Sequence, residues 1–196
     1  MSSILLILAL AVWGAVHSWL ASLQVKGWLQ ARVGVAPMRF YRLLYNVFAG
    51  LSFLPVLWFM LVLPDQPFYR VPAPWSLLML AGQVLALLLL LVSVIQTGAL
   101  SFIGLGQLIR QPGPARLITS GLYRWVRHPI YSAGLLLIWL TSVVSLNTFT
   151  VFVGFSLYIL IGAWFEERKL LREFGTAYAD YLRTTPMLVP GLLWKR

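Results

Sequence analysis

The sequence contains no cysteine, few charged residues and only two histidines. Without cysteine the chain can form no disulfide, no thiolate metal site and no cysteine nucleophile. Charged residues make up 10% of its 196 residues, whereas soluble domains usually carry about 25%. The two histidines, His17 and His128, are too few for a typical zinc site made of protein side chains. We therefore expect no bound metal, and a chain that resides in a lipid bilayer.

Hydrophobic residues, by contrast, make up 60% of the chain and occur in long runs. A membrane-spanning helix needs about 20 mostly apolar residues, and five segments predict such spans: 3–23, 43–63, 75–95, 130–146 and 149–165. Asn147 and Thr148 predict a tight turn between the last two, which would form a helical hairpin. The predicted fold class is all-α, a polytopic membrane protein of about five transmembrane helices with a cytoplasmic C-terminal helix.

The basic residues are distributed unevenly between these segments. With five spans, every lysine and arginine except Arg70, 14 of 15, falls on one side of the membrane. The positive-inside rule then places the N-terminus outside and the C-terminus in the cytoplasm. A net charge of +10 would suggest nucleic acid in a soluble protein. Here the basic residues lie between apolar runs, so we expect membrane lipids with anionic headgroups as partners, and no nucleic acid.

A first candidate site lies in the glycine-rich segment before the fourth span. Pro129 suits the first turn of a helix, which would place Arg127 and His128 at that helix's N-terminus. Helix N-termini favour anions, and Arg127 adds a positive charge. The alternative is an ordinary membrane-surface loop that ends in a capped helix.

A second candidate site follows the fifth span. On a helix of 3.6 residues per turn, Glu167 lies on an apolar stripe and Glu166 lies at its edge. The other members of the stripe are Leu171, Phe174, Tyr178, Tyr181 and Leu182. A carboxylate that faces a buried stripe is costly unless a cation or donors meet it. Either glutamate would be functional, or would pair with Arg124 or Arg127 as a structural latch. Gly175 would end or bend this helix.

At these two segments the chain resembles the integral membrane methyltransferases that include isoprenylcysteine carboxyl methyltransferases, phosphatidylethanolamine N-methyltransferases and NnrU-like proteins. The resemblance covers about residues 98–190 and combines an R-H-P-x-Y string with E-E-x-x-L and F-G-x-x-Y-x-x-Y strings. Its residues are Gly121-Leu122-Tyr123, Arg127-His128-Pro129-Ile130-Tyr131, Glu166-Glu167-Arg168-Lys169-Leu170 and Phe174-Gly175-Thr176-Ala177-Tyr178-Ala179-Asp180-Tyr181.

The resemblance implies S-adenosylmethionine (SAM) as methyl donor, bound at the cytoplasmic face in a pocket that the C-terminal segment closes. Arg127, His128 and Tyr131 would hold the methionine end, and Glu167 with Glu166 would meet its ammonium group or orient the substrate. Backbone around Gly121 and Tyr123 would line the cofactor, and Tyr178 is expected among the cofactor-binding residues. On this basis residues 1–97 would form a three-helix membrane region and residues 98–196 the SAM-binding core.

The N-terminal half resembles NnrU-like proteins and methanethiol methyltransferases more than the prenylcysteine branch. The matching segments are 16–22 and 41–46. This weakens the case for a prenylated substrate. His17 would be a base or substrate contact, or else an ordinary hydrogen-bonded membrane histidine. The predicted catalytic residues are Glu167, Arg127 and His17.

The predicted activity is methyl transfer from SAM to a lipophilic or small apolar acceptor, which is a thiol, a carboxylate or a lipid amine. A neutral thiol or an ammonium must first lose a proton, and His17 or Glu167 would assist. One alternative is a non-catalytic NnrU-like accessory protein that retains a vestigial cofactor pocket. Another is a haem or quinone protein that uses His17 and His128, for which the sequence shows no matched ligand pair.

Overall fold

The computed structural model describes residues 1–109 and 116–192 and is almost entirely helical. Its elements in chain order are α1 (Ser2–Ala21), α2 (Leu23–Val33), α3 (Val35–Met38), α4 (Tyr41–Val62), β1 (Pro67–Arg70), α5 (Trp75–Gln96), α6 (Ala99–Ile103), α7 (Gly106–Ile109), a 3-10 helix (Gly121–Arg124), α8 (Pro129–Trp139), β2 (Val143–Ser145), α9 (Leu146–Phe174) and α10 (Thr176–Thr184). The all-α membrane fold is therefore confirmed.

Four helices in the described ranges are long and apolar enough to cross a bilayer, namely α1, α4, α5 and α9. The remaining apolar helix, α8, has only 11 residues. At 1.5 Å per residue it is about 16 Å long, roughly half the hydrocarbon thickness of a bilayer. Of the two helices of the predicted hairpin, only the first is therefore too short to cross the bilayer by itself, because α9 has 29 residues.

The turn of the predicted hairpin lies earlier in the chain than expected. Residues 140–145 connect the two helices, and Asn147 lies in the first turn of α9. Its Nδ2 donates to the carbonyl of Leu63 at 3.2 Å, and its backbone N–H donates to Asp65 Oδ1 at 2.9 Å. Asn147 therefore joins the start of α9 to the end of α4 and does not form the predicted turn.

The chain divides into two compact units, each made of several chain segments. The described part of the first comprises residues 1–68, 98–109 and 145–155, and that of the second comprises 69–97, 116–144 and 156–192. One break falls at the predicted domain boundary between residues 97 and 98. The two sequential domains nevertheless stay a prediction. Strands β1 and β2, which the sequence did not predict, pair in a two-stranded sheet.

The first unit is organised by the packing of α1 against α4. Its core consists of buried aliphatic side chains, namely Leu6, Leu10, Val56 and Val151. Trp13 packs beside this core and donates its indole N–H to the carbonyl of Ala49 at 3.3 Å. Helix α1 ends where Ser22 turns to an extended conformation, and the Ser22 hydroxyl accepts the Val25 N–H to cap α2. The first helix therefore ends at Ala21, two residues before the predicted end of the first span at residue 23.

The second unit is organised by the packing of α5 against α8. Small side chains allow a close approach, because Ala86 and Ala133 are both buried. A Cβ at Gly82 would lie 2.7 Å from Leu140 Cδ1. Gln83 adds a polar link within this contact, since its Nε2 donates to the carbonyl of Leu137 at 3.0 Å. Van der Waals packing of small residues is the usual way in which membrane helices associate.

Gly104 permits a backbone contact in the first unit that no other residue would allow. It ends α6 with φ of +97°, and a Cβ there would lie 2.5 Å from the backbone nitrogen of Leu43. Nearby, Asn46 Nδ2 donates to the carbonyl of Phe102 at 3.0 Å. Helix α6 is thus held against the first turns of α4 through backbone contact.

We predict that Gly104→Ala lowers the free energy of unfolding by about 2 kcal/mol, because the substitution combines a left-handed backbone with a backbone clash. Thermal unfolding in detergent measures the loss. Gly27→Ala is the matched control, since nothing lies within 4 Å of a Cβ there. It should leave stability unchanged or raise it, and equal behaviour of the two variants would contradict the close approach.

Candidate functional site

The central feature of the second unit is a buried ion pair between Arg127 and Glu167. Arg127 Nε donates to Glu167 Oε1 at 2.7 Å, and Arg127 Nη2 lies 2.6 Å from the same oxygen. The two side chains are only 9% and 4% exposed. The cost of burying the carboxylate on the apolar face is therefore offset by a cation in direct contact. Of the two latch partners considered from the sequence, the structure pairs Glu167 with Arg127.

The same arginine holds the C-terminal segment 182–188. Its Nη1 donates to the carbonyl of Thr185 and, at 3.4 Å, to that of Leu182. The backbone N–H of Arg127 donates to the carbonyl of Pro186 at 2.8 Å. All three guanidinium nitrogens, Nε, Nη1 and Nη2, thus contact groups of the protein itself. The ion pair lies next to the segment that Arg127 holds.

His128 and Ser132 extend this attachment into α8. The backbone N–H of His128 donates to the carbonyl of Met187 at 3.1 Å. The Ser132 hydroxyl donates to the carbonyl of Leu188 at 2.7 Å. The segment therefore runs along the start of α8, which begins at Pro129 as predicted. The acceptors are backbone carbonyls, which carry no side-chain signal, and the sequence could not have indicated them.

Glu166 and Glu167 differ sharply although they are adjacent. Successive residues of a helix are rotated by about 100°, so the two side chains leave α9 in different directions. The Glu166 side chain is 43% exposed, whereas that of Glu167 is buried. Glu166 Oε2 accepts the Tyr131 hydroxyl at 2.7 Å and lies 3.7 Å from His128 Nδ1. Glu166 is thus the more accessible of the two carboxylates.

A hydrogen bond joins α10 to the 3-10 helix at Tyr123, one of the predicted site residues. Tyr181, which the sequence placed on the apolar stripe and not in the site, donates its hydroxyl to the carbonyl of Tyr123 at 2.5 Å. Burial and the Glu166 carboxylate raise the pKa of Tyr123 to about 12. Burial also raises the pKa of Tyr181 to about 12, against the opposing effect of Arg127. Both phenols therefore stay protonated below about pH 10.

Tyr178 is a buried side chain whose polar group no described residue satisfies. It is 1% exposed, and its hydroxyl has no hydrogen-bond partner among the described residues. Burial and the Glu167 carboxylate raise its pKa above the ordinary value of tyrosine, so it remains a neutral donor. His128 Nε2 is similar, since it lies 3.4 Å from Glu167 Oε1 without hydrogen-bond geometry. Buried polar atoms of this kind usually indicate a missing partner.

The C-terminal helix confirms the predicted stripe and its break. Helix α9 continues past the predicted span end to Phe174, and Gly175 follows with φ of +56°. Helix α10 then starts at Thr176 and buries Tyr178 and Tyr181. The positive φ changes the chain direction at Gly175, and glycine adopts that conformation without steric cost.

The structure therefore brings together most of the predicted site residues within the second unit. They are Gly121, Tyr123, Arg127, His128, Tyr131, Glu166, Glu167 and Tyr178. His17 belongs to the first unit, where its Nε2 lies 2.5 Å from the Tyr45 hydroxyl and its ring stacks on Trp13. Within the described ranges, no group of three His, Asp or Glu side chains is placed to hold a metal ion.

Arg127, His128, Glu166, Glu167 and Tyr178 form a polar cluster, and its charge limits which ligands it can bind. Arg127 contributes one positive charge and the two glutamates contribute two negative charges, so these three side chains sum to −1. An accessible carboxylate at Glu166 and unsatisfied polar atoms at Tyr178 and His128 suit a ligand with a cationic group beside a carboxylate or other polar group.

Comparison with known proteins places this arrangement in a family. The family model described as NnrU protein matches residues 5–193. Methanethiol S-methyltransferase 2 of Bradyrhizobium diazoefficiens is 42% identical over 78 residues, which are 40% of this chain and 30% of that protein. Methanethiol S-methyltransferase of Crocosphaera subtropica is 27% identical over 194 residues, covering 92% of this chain and 72% of that protein.

A further relative, methanethiol S-methyltransferase 1 of Bradyrhizobium diazoefficiens, is 27% identical over 97% of this chain and 66% of its own length. The first relative is thus matched over less than a third of its length, and the two longer alignments cover about two thirds of theirs. No solved structure matches the chain at a significant level.

We predict that Glu167→Gln lowers the free energy of unfolding by about 3 kcal/mol, because it leaves the Arg127 charge buried without its counterion. The midpoint of thermal unfolding in detergent measures the change. Glu173→Gln, on the same helix but exposed, is the control and should change stability by less than about 0.5 kcal/mol. Similar small effects in both variants would contradict a structural ion pair.

Proposed function

Because the chain belongs to the NnrU protein family and its second unit carries this polar cluster, we propose that it is an integral membrane methyltransferase that uses SAM. The observation that carries the proposal is the unsatisfied hydroxyl of Tyr178, whose pKa is raised by burial and in part by the half-exposed carboxylate of Glu166 in the same unit. The names of the relatives give independent support.

The residues fit the polar end of SAM. SAM carries a sulfonium, an ammonium and a carboxylate, so its net charge of +1 complements the −1 of the cluster. Glu166 would hold the ammonium group, and the Tyr178 hydroxyl with His128 would meet the carboxylate. Both groups of the amino acid end would then find partners of matching character. The 3-10 helix with Gly121 and Tyr123 would line the cofactor, as the resemblance implies.

In this proposal Arg127 and Glu167 shape the site and do not contact the cofactor. Their charges neutralise one another, and Arg127 holds segment 182–188 over the start of α8. Such an attachment would exclude water from the reacting groups. Bound SAM would supply an electrophilic methyl group for in-line displacement, and the protein's contribution would be to position the two reactants.

The acceptor that we propose is a small apolar thiol. The relatives are named for methanethiol, and an acceptor of this kind partitions into the apolar surroundings of the helices. Its sulfur would form the new S–C bond as the bond between the methyl group and the sulfonium of SAM breaks, which leaves S-adenosylhomocysteine, and the thiol would lose its S–H proton. The role of His17 as the acceptor of this proton stays a prediction from the sequence, because His17 belongs to the first unit.

The positive-inside distribution gives the proposed orientation. This orientation requires α8, which has only 11 residues, to cross the bilayer together with the connection after it as a fifth span. With five spans 14 of 15 basic residues lie on one side, so the C-terminus and the candidate site would face the cytoplasm and the N-terminus would lie outside. SAM would then reach the site from the cytoplasm, and the acceptor would arrive through the bilayer.

A non-catalytic accessory role is the second candidate. It is favoured by the Arg127 guanidinium, whose Nε, Nη1 and Nη2 all contact groups of the protein itself. Such a protein would bind the cofactor without methylating a thiol, so the same experiment separates the two functions.

We predict that purified protein in detergent binds S-adenosylhomocysteine in calorimetry and transfers label from methyl-labelled SAM to methanethiol. Tyr178→Phe should weaken binding about 5- to 20-fold, as expected for one lost hydrogen bond to a charged group. Tyr69→Phe is the matched control, because it removes a hydroxyl that donates to the carbonyl of Thr141 in the same unit. It should bind like the wild type.

Each outcome of this experiment decides between the candidates. No binding of S-adenosylhomocysteine by the wild type would overturn the proposal. Binding without transfer to methanethiol or to larger apolar thiols and lipid amines would favour the accessory role. Equal loss in the Tyr178 and Tyr69 variants would remove Tyr178 from the cofactor site.

A further inference from the structure

Gln96 is a polar residue at the end of α5, the most apolar of the four long membrane-spanning candidates in the described ranges. It is the last residue of α5, whose stretch 84–92 contains no polar side chain. Its Oε1 accepts the backbone N–H of Leu122 at 3.1 Å. The end of α5 is therefore tied by a side chain to the 3-10 helix Gly121–Arg124, which begins 25 residues later.

The fit between Gln96 and the 3-10 helix depends on the glycine that starts it. A Cβ at Gly121 would lie 2.0 Å from Gln96 Nε2, and Gly121 has φ of +62°. The carboxamide thus occupies the space that any larger side chain at position 121 would need. The G-L-Y string of the sequence is explained in part by this contact, which nothing in the sequence pattern pointed to.

Leu122 connects Gln96 to the polar cluster through backbone hydrogen bonds. Its carbonyl accepts the backbone N–H groups of Trp125 at 3.0 Å and Val126 at 3.3 Å. Val126 is buried and immediately precedes Arg127. Hydrogen bonds therefore connect the Gln96 side chain to Leu122 and Leu122 to Val126, the residue before Arg127.

The next residue extends the connection towards the tyrosines. The carbonyl of Tyr123 accepts the hydroxyl of Tyr181, and the rings of Tyr181 and Tyr178 meet edge to face at 5.9 Å. The Gln96 carboxamide is thus connected through Leu122 to the residue before Arg127 and His128. Through Tyr123 and Tyr181 it is connected to Tyr178, whose hydroxyl is unsatisfied.

We propose that Gln96 is a positioning residue of the methyl-donor site, which holds the 3-10 helix in the conformation that SAM binds. The inference rests on the proposed function, since it assigns Gln96 a role in that site. Gln96 itself acts through Leu122 and Tyr123. It should therefore govern affinity for the cofactor and leave the affinity for the acceptor unaltered.

The test is Gln96→Leu, which keeps a side chain of similar volume without hydrogen-bonding groups. We expect the dissociation constant for S-adenosylhomocysteine and the KM for SAM to rise about 5- to 30-fold, while the KM for the thiol stays within twofold. Gln96→Glu keeps an acceptor oxygen at the same reach, and we expect it to restore the affinity to within about threefold of the wild type.

Gln83→Leu is the matched control. Gln83 lies on the same helix and its Nε2 donates to the carbonyl of Leu137 and to Thr141 Oγ1, at 3.0 and 3.3 Å. We expect this variant to lower the unfolding temperature at least as much as Gln96→Leu does and to bind S-adenosylhomocysteine like the wild type. A general loss of helix packing would instead weaken binding in both variants.

The outcomes keep the inference separate from the proposed function. If the wild type does not bind S-adenosylhomocysteine, the proposed function fails. If it binds and Gln96→Leu binds equally well, or if Gln83→Leu binds equally poorly, only the role of Gln96 is overturned. Should Gln96→Leu not fold, Gln96→Asn replaces it. It withdraws the carboxamide by one methylene, and the proposal then requires weaker binding than in Gln96→Glu.

Discussion

The buried contact between Arg127 and Glu167 is the interaction on which the rest of the site depends. A carboxylate on the apolar side of α9 would be unstable without a counterion, and an arginine at the start of α8 would be equally unstable alone. Together they are satisfied, because the arginine also donates to carbonyls of segment 182–188. One ion pair thus joins the C-terminal part of α9, the loop before α8 and the last described segment of the chain. Removing either charge would affect all three.

Because Arg127 is already bound to Glu167 and to backbone carbonyls, other groups of the site remain available for a ligand. The guanidinium contacts protein groups through all three of its nitrogens, so in the proposed function recognition would fall to the more exposed Glu166 and to the buried polar atoms of Tyr178 and His128. The two adjacent glutamates have different surroundings because the helix turns their side chains apart. The proposed methyl-donor site therefore has two sets of residues, an ion pair that fixes the backbone and a second set, Glu166, Tyr178 and His128, that would contact the cofactor.

The sequence predicted the parts of this arrangement that side-chain periodicity can indicate. The stripe through Glu167 and Tyr178, the helix start at Pro129 and the break at Gly175 are all present. Hydropathy could not locate the end of α8, since residues 140–146 mix aliphatic side chains with Thr and Ser and contain no charged residue. The carbonyl acceptors of segment 182–188 and the contact of Gln96 with Gly121 were equally hidden. They depend on backbone geometry and on residues far apart in the chain, and neither produces a local pattern.

Hydrogen exchange of the detergent-solubilised protein with and without S-adenosylhomocysteine tests the central claim most directly. The amides of Arg127 and His128 bond to the carbonyls of Pro186 and Met187, so a ligand that binds at this cluster should slow exchange on both sides of the attachment. The account predicts slower exchange in peptides covering 121–131 and 176–188, and unchanged exchange in those covering α1 and α2. Binding that leaves 121–131 and 176–188 unaltered would contradict it.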